Sequence, residues 1–175
     1  MSNEPVAPAG APAPPADLPQ GRVNGLVDFQ ALVRNALAAA AHQGWQEIIL
    51  CDATFFDWPL GDKAVAESLQ AWSRSGRKCT LLAVRYDELV RRHARFVSWR
   101  RTWSHIIECR ACPGVDPLDF PSAIWSPPWV MRRLDLAHSG CICGSEPDRR
   151  LLLREELDER LRNSSPSFPA TVLGL

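Results

Sequence analysis

Arginines interleaved with aromatic residues form the stretch with the clearest capacity for chemistry. From Arg85 to Arg110 there are seven arginines and three acidic residues. If this stretch is helical, its large aromatic residues share one stripe, namely Phe96, Trp99 and Trp103. Arg91 and Arg95 then lie on the neighbouring stripe, where guanidinium groups could bind phosphates while rings stack on bases. The alternative is that the aromatic stripe packs on the fold and the arginines are its solvated border.

Asp52 and Arg85 stand at the ends of two strand-like runs, 47–52 and 79–84, of the kind that forms a buried strand. Ligands bind open α/β sheets outside the carboxyl ends of the strands, so a crevice is expected there, with loop 53–60 overhanging it. The alternative is that Asp52 and Arg85 form a salt bridge or cap local turns. The candidate ligand-binding residues are Asp52, Arg85, Arg91, His93, Arg95, Arg100 and Arg101.

Two cysteine pairs raise a metal hypothesis. Cys109 and Cys112 have CxxC spacing and Cys141 and Cys143 have CxC spacing, so together they could supply four ligands to zinc. CxC is a less usual half-site, and a chain of this length without an export signal is expected to keep its thiols reduced. We therefore expect core or loop thiols and no cofactor. A zinc-stabilised structural protein is the alternative.

Several catalytic motifs are absent from the chain. None of the ten glycines belongs to a GxGxxG or GxxxxGK[ST] loop, and there is no GxSxG or HExxH sequence. The usual nucleotide-binding, esterase and metalloprotease classes are thereby disfavoured. A hydrolase with an unrecognised site stays open, in which His93, His138 or Asp52 would serve as acid, base or nucleophile.

Apolar periodicity predicts the elements that must position these residues. A helix runs from about Leu26 to Gly44, a second from Asp62 to about Ser75, one or two lie between 87 and 104, and the last begins at Asp148. Strands are expected at 47–52, 79–84 and 105–110, then at 123–125, 129–136 and 141–143. Helices alternating with continuous apolar strands predict an α/β fold with a mostly parallel sheet and helices on both faces.

Composition predicts the organisation around this domain. Residues 1–22 are rich in Pro and Ala and are expected to form a disordered arm, of which residues 1–20 are expected to be dispensable for folding, while 23–175 form a single α/β domain. Twenty basic and twenty acidic residues leave no net charge, so an anionic partner must be held by a local patch. No apolar run predicts a membrane span and no leader is recognisable, so a cytoplasmic protein is expected.

The order of elements, the strand and loop at 49–60, and the sequence RHARFVSWRR at 92–101 resemble a phospholipase D-like domain. The resemblance is to the degenerate type found alone or behind GNAT acetyltransferases in proteobacteria. Active members carry HxK, and no histidine here has a lysine two positions later. His138-Ser139-Gly140 stands where a degraded motif would lie. The resemblance implies a phospholipase D-like half without catalysis, which binds an anionic ligand or a partner protein and serves as an accessory to an acetyltransferase.

Overall fold

The computed structural model describes residues 17–170, which form an α/β fold around one sheet. In chain order the elements are β1 (Gly21–Val23), α1 (Leu26–Gln43), β2 (Glu47–Cys51), α2 (Lys63–Ser73), β3 (Lys78–Ala83), α3 (Asp87–Arg92), α4 (Ala94–Thr102), β4 (Ile107–Ala111), a 3-10 turn (Pro117–Asp119), β5 (Ser122–Trp125), β6 (Val130–Asp135), β7 (Gly140–Gly144), α5 (Pro147–Arg162) and β8 (Ser165–Pro166). No helix in this part of the chain is both long and apolar enough to cross a membrane.

The sheet is mixed and mostly antiparallel, so the prediction of a mostly parallel sheet is wrong. Its strand order is β1-β7-β6-β5-β2-β3-β4-β8, and only the β2–β3 and β3–β4 pairs are parallel. Helical crossovers join those three strands, as parallel pairing requires. Short turns join β5, β6 and β7, and a short turn returns the chain only to an antiparallel neighbour.

Helices cover both faces of the sheet, as predicted. In β2, Ile48 and Leu50 join the core formed with α1, α2 and α4, whereas Ile49 and Cys51 join a second core with Leu157 of α5. Successive side chains of a strand point to opposite faces. A strand covered on both sides therefore reads as an unbroken apolar run.

The folded chain includes residues that the sequence assigns to the N-terminal arm. Residues 1–16 of that arm lie outside the described residues. From Leu18 onward the chain packs on the core, and Gly21–Val23 pairs with β7. The indole Nε1 of Trp129 donates a hydrogen bond of 3.1 Å to the Pro19 carbonyl oxygen. β7 is consequently an inner strand of the sheet, between β1 and β6.

The helix predictions agree closely with the structure. α1 ends where Gly44 adopts the left-handed conformation, with φ at 66°, which glycine reaches without a Cβ clash. The arginine-rich stretch forms two helices rather than one, because His93 between them has φ at −121° and ψ at 61°. Phe96 and Trp99 of α4 are buried and Arg91 and Arg95 are exposed, as the inward aromatic stripe requires.

Candidate functional site

A cavity of about 630 Å³ lies at the carboxyl ends of β3 and β4, and we call it the crevice. This is the position where α/β sheets bind ligands. Its wall combines the start of α3 with the segment after α5. The residues that line it include Arg85, Tyr86, Asp87, Arg91, Ser167 and Phe168.

Two aromatic rings build the floor of the crevice. The Tyr86 hydroxyl donates to the Arg110 carbonyl oxygen at 2.7 Å, and its ring stacks on Phe168 with centroids 5.3 Å apart. Burial raises the pKa of the Tyr86 hydroxyl well above its ordinary value, so the group stays neutral. Arg100 anchors the segment after α5, because its guanidinium donates to the Phe168 carbonyl oxygen. The same guanidinium donates to the Ile107 carbonyl oxygen of β4.

Two exposed arginines stand at the mouth of the crevice. Arg85 follows β3, and its side chain takes part in no hydrogen bond or ion pair within residues 17–170. Arg91 lies one helical turn into α3, 73% exposed, and pairs with Glu88 at 3.3 Å. An exposed pair of this kind is weak, so the Arg91 guanidinium can turn to a ligand at small cost. Asp87 also lines the crevice, which leaves one positive charge in excess among these lining residues.

Asp52 does not join Arg85 in the crevice. Its Oδ2 accepts hydrogen bonds from the backbone N–H groups of Thr54 at 3.1 Å and Phe55 at 2.7 Å. The side chain is buried and organises the turn after β2. The predicted Asp52–Arg85 site is therefore not formed, and local turn capping is the role that the contacts support for Asp52.

The remaining predicted ligand-binding residues divide into buried and exposed groups. His93 and Arg100 are buried, and the His93 Nε2 hydrogen-bonds the Phe55 carbonyl at 2.8 Å, so both serve the fold. Arg95 is exposed and donates to the Gly61 carbonyl oxygen at 2.8 Å. Arg101 is exposed on α4 with no side-chain hydrogen bond in the described range. Only Arg85 and Arg91 of the predicted set line the crevice.

The four-cysteine zinc site is not assembled. Cys109 lies in β4 with Cys112 just after it, whereas Cys141 and Cys143 lie in β7. Four strands separate β4 from β7 in the sheet, a distance of about 24 Å at the usual strand spacing. One ion cannot bridge that distance. Within residues 17–170, no group of three or more His, Cys, Asp or Glu side chains is arranged to hold a metal ion.

The three residues of the hydrolase alternative, Asp52, His93 and His138, each have other hydrogen-bond partners. Asp52 is engaged by backbone N–H groups and His93 by the Phe55 carbonyl. His138 is 87% exposed and its Nδ1 lies 3.3 Å from Asp135 Oδ1. No hydrogen bond joins any two of Asp52, His93 and His138 in residues 17–170, so the contact between a nucleophile and its base is not made here.

Sequence reasoning missed a segregation of charge along the chain. Residues 63–107 contain ten basic and three acidic residues, and the rest of the chain contains ten basic and seventeen acidic ones. Nine of these ten basic side chains are exposed, all but Arg100. α2 and α4 pack side by side, since Trp99 Nε1 donates to Ser73 Oγ and Trp103 Nε1 to Gln70 Oε1. We call their outer surface, which carries Lys63, Arg74, Arg95 and Arg101, the basic face.

Comparisons with known proteins identify a protein of similar fold but no family to which this chain belongs. No family model matches the chain, and no curated protein matches it. The structure is similar to that of TrmBL2, an archaeal chromatin protein with a novel mode of DNA binding. The TM-score is 0.60 at 18% sequence identity, and the match covers 83% of this chain. This chain spans about half of that protein, since the match covers 53% of it.

Proposed function

We propose that this chain is a non-catalytic binding domain that holds an anionic ligand, or an acidic group of a partner protein, in the crevice. The observation that carries the proposal is the pair of exposed arginines, Arg85 and Arg91, at a cavity on the carboxyl ends of parallel strands. Guanidinium groups bind carboxylates and phosphates through parallel N–H donors. Ser165 and Ser167 also line the crevice, and their hydroxyl groups can add neutral hydrogen bonds.

The proposal extends to the phospholipase D-like half suggested by the sequence. Two features support it. One is the α/β sheet with helices on both faces, and the other is a sequence that resembles the family at 49–60 and 92–101 but has no HxK. Such a half without its nucleophile would act in the cytoplasm as an accessory domain, beside an acetyltransferase. Its acidic partner would then dock its carboxylates at Arg85 and Arg91.

Titration with inorganic phosphate and with heparin tests the crevice. The Arg85→Gln/Arg91→Gln double variant should keep the wild-type far-ultraviolet spectrum and lose about tenfold or more in affinity, as expected when charge-assisted hydrogen bonds are removed. A matched control is Arg22→Gln/Arg162→Gln, which removes the same charge from two exposed arginines outside the crevice. Equal binding by both double variants would contradict the proposal.

Nucleic-acid binding is a second candidate, and the basic face is the observation that favours it. Lys63 of α2, Arg74 directly after α2, and Arg95 and Arg101 of α4 are exposed, and Glu67 is the one acidic residue of α2 and α4. Exposed cations on two packed helices can contact the phosphates of a nucleic acid, and such binding is sequence-independent and sensitive to salt. The structural relative TrmBL2 is a DNA-binding protein, which agrees with this candidate.

Anisotropy of a labelled 20-base-pair duplex separates the two candidates. If the basic face binds DNA, Arg95→Gln/Arg101→Gln should weaken binding several-fold and reduce the dependence of log K on log salt by roughly two phosphate contacts. Arg85→Gln/Arg91→Gln should then change DNA affinity less than it changes phosphate affinity. Duplex binding that is absent at 50 mM salt in the wild type would exclude the nucleic-acid candidate.

A further inference from the structure

The outer face of α5 presents two adjacent leucines to solvent. Leu153 and Leu157 turn toward the sheet, and positions 151 and 152 lie on the side of the helix away from it. Leu151 is 58% exposed and Leu152 is 66% exposed. Exposed apolar side chains that adjoin one another and are surrounded by polar residues are typical of contact surfaces.

Acidic residues without partners surround these leucines. Glu156 pairs with Arg132 of the sheet, and Asp158 pairs with a cation one turn earlier in α5. The acids of the outer face are exposed and take part in no ion pair or side-chain hydrogen bond within residues 17–170, and they are Asp148, Glu155 and Glu159. Arg162 is the one exposed cation of this helix, so its outer face has two negative charges in excess.

The outer surface of α2 has the complementary composition. A shallow groove of about 460 Å³ lies along it, with Lys63 at one end and Arg74 at the other. Ala66 and Ala71 line the groove, and their small side chains leave room for larger ones. The Arg74 side chain takes part in no hydrogen bond or ion pair within residues 17–170. Lys63 pairs with Glu67 at 3.7 Å, but both side chains are exposed and such a pair is weak.

The two faces match in length as well as in charge. Lys63 and Arg74 are eleven residues apart, and so are Asp148 and Glu159. Eleven residues of helix span about 16 Å. Because each face carries its charge at both ends, the acids can meet the cations whether the two helices run parallel or antiparallel.

The apolar residues keep the same spacing from these charges. Leu151 stands three residues from the acid that begins the α5 face. Ala66 and Ala71 each stand three residues from the nearer cation of the groove. Pairing of the end charges therefore places the leucine over an alanine in either direction of the helices.

The two faces lie on opposite sides of the sheet. Leu69 of α2 belongs to the core formed with α1, whereas Leu157 of α5 belongs to the second core. One copy therefore cannot turn both faces toward the same partner. A contact between α5 of one copy and α2 of the next is head-to-tail, and contacts of this kind build rings or open chains.

We propose that this chain associates with further copies of itself, with the outer face of α5 of one copy in the α2 groove of the next. The acids at the two ends of the α5 face pair with Lys63 and Arg74, and Leu151 and Leu152 pack on the floor of the groove. One pair of short helices buries less than the roughly 1,200 Å² typical of stable complexes, so the association is weak and forms at high protein concentration. It does not involve the crevice.

Sedimentation velocity of the full chain over a range of concentrations tests the association. At about 50 mM salt the weight-average mass should rise with concentration, past the dimer to longer species, and at about 500 mM salt it should fall toward the monomer because the charges are screened. A wild type that stays monomeric at low salt would overturn the proposal, and so would a dimer that does not grow.

Two charge-reversal variants identify the faces. Lys63→Glu/Arg74→Glu and Asp148→Lys/Glu159→Lys should each remain monomeric with the far-ultraviolet spectrum of the wild type, since like charges then face each other. An equimolar mixture of the two should associate again, because the reversed groove of the first variant meets the reversed helix of the second. Absence of recovery in the mixture would refute the pairing.

A control variant separates this contact from the crevice. Arg85→Glu/Arg91→Glu makes the same change of charge at the crevice and should associate like the wild type. Equal loss of association in this control would assign the effect to net charge and contradict the proposal. A monomeric wild type whose groove variant loses binding to the 20-base-pair duplex would assign the groove to nucleic acid instead.

Substitution of the leucines tests the apolar part of the contact. Leu151→Ser/Leu152→Ser should weaken association by at least about tenfold, because the leucines are no longer removed from water in the contact. Leu118→Ser/Leu134→Ser, at exposed leucines outside α5, is the matched control and should leave association unchanged. Equal behaviour of the two variants would show that the α5 leucines do not lie in the contact.

Discussion

The two halves of the sheet use arginine in opposite ways. On the antiparallel half, Arg132 and Arg133 of β6 bind the carboxylates of Glu156 and Asp57, and the Arg133 side chain is only 1% exposed. On the parallel half, Arg85, Arg95 and Arg101 are exposed, and none of them takes part in an ion pair within residues 17–170. Apart from Arg100, which is buried against carbonyl oxygens, the arginines of α3 and α4 therefore face solvent, whereas those of β6 hold the fold together.

This difference shows that arginine density alone does not identify a binding surface. What separates the two groups is whether an acidic side chain lies within reach. Residues 63–107 contain only three acids for ten bases, so most of their cations cannot be neutralised locally. A guanidinium that is bound to a carboxylate in a buried pair has little left to offer a ligand, whereas an exposed one can pair with an arriving anion.

The largest effect is expected from breaking the buried pair. Arg133→Met should lower the free energy of unfolding by about 3–5 kcal/mol, because it removes one partner of a buried ion pair and leaves the Asp57 carboxylate without its donors. Urea unfolding followed by tryptophan fluorescence measures this loss. The double variant Arg133→Met/Asp57→Leu should recover part of the stability. A loss below about 1 kcal/mol in Arg133→Met would place Arg133 with the exposed arginines.

Alkaline pH should test both halves through their buried thiols. Burial raises the pKa of Cys109 in β4 to about 12 and that of Cys141 in β7 to about 11. Above the ordinary value of 9.0 the thiols ionise in the unfolded chain but not in the folded one. Their contribution is therefore fully present below pH 9 and is lost as the pH rises toward the folded values.

Each such thiol should reduce stability by about 1.4 kcal/mol per pH unit over that window. Urea unfolding at pH 8, 9 and 10 in the presence of a reductant measures the slope. Cys141→Ala should make the slope shallower than that of the wild type, which separates the thiol from other groups that titrate at high pH. Equal slopes would show that Cys141 is not shielded in the folded protein.

Removal of the chain up to Gly21, the first residue of β1, should produce a smaller loss on the antiparallel half. A chain that begins at Arg22 loses the packing of Leu18 and the Trp129–Pro19 hydrogen bond, at a cost of about 1–2 kcal/mol. The melting temperature should then fall by several degrees. A chain that begins at Asp17 retains both contacts and is the matched control. If the two chains melt at the same temperature, the segment contributes nothing, as the sequence composition alone predicts.

The smallest effect is expected on the parallel half. Arg101→Gln should change the free energy of unfolding by less than about 0.5 kcal/mol, since the side chain is exposed and takes part in no described hydrogen bond or ion pair. Urea unfolding beside Arg133→Met measures the contrast directly. A loss above about 1 kcal/mol would mean that the exposed cations also support the fold.

The helices and strands of this chain could be predicted because their patterns are local. The apolar spacing in α1 and the glycine after it are visible within about twenty residues, and so are the unbroken apolar runs of β2 and β3. The inward stripe with Phe96 and Trp99 also follows from helical spacing alone. One further signal was available, because alternation in a strand must turn one of Arg132 and Arg133 toward each face.

The binding partners of individual side chains could not be predicted in the same way. Arg100 is buried because the carbonyl oxygens of Ile107 and Phe168 surround it, and Phe168 is far away in the sequence. Asp52 differs in that its partners, Thr54 and Phe55, are adjacent, which is why local capping was foreseeable as an alternative. The crevice departs from the predicted Asp52–Arg85 site because it is walled by the segment after α5.

The sequence by itself determined the α/β class, the helices and strands, and the concentration of basic residues between 63 and 107, since each depends on residue type and short-range spacing. Only the tertiary structure decided the direction of β5, β6 and β7, the separation of the two cysteine pairs across the sheet, and which arginines meet a carboxylate. The physical reason is that a buried strand reads alike in parallel and antiparallel pairing, and a charge is neutralised by whatever the fold brings to it.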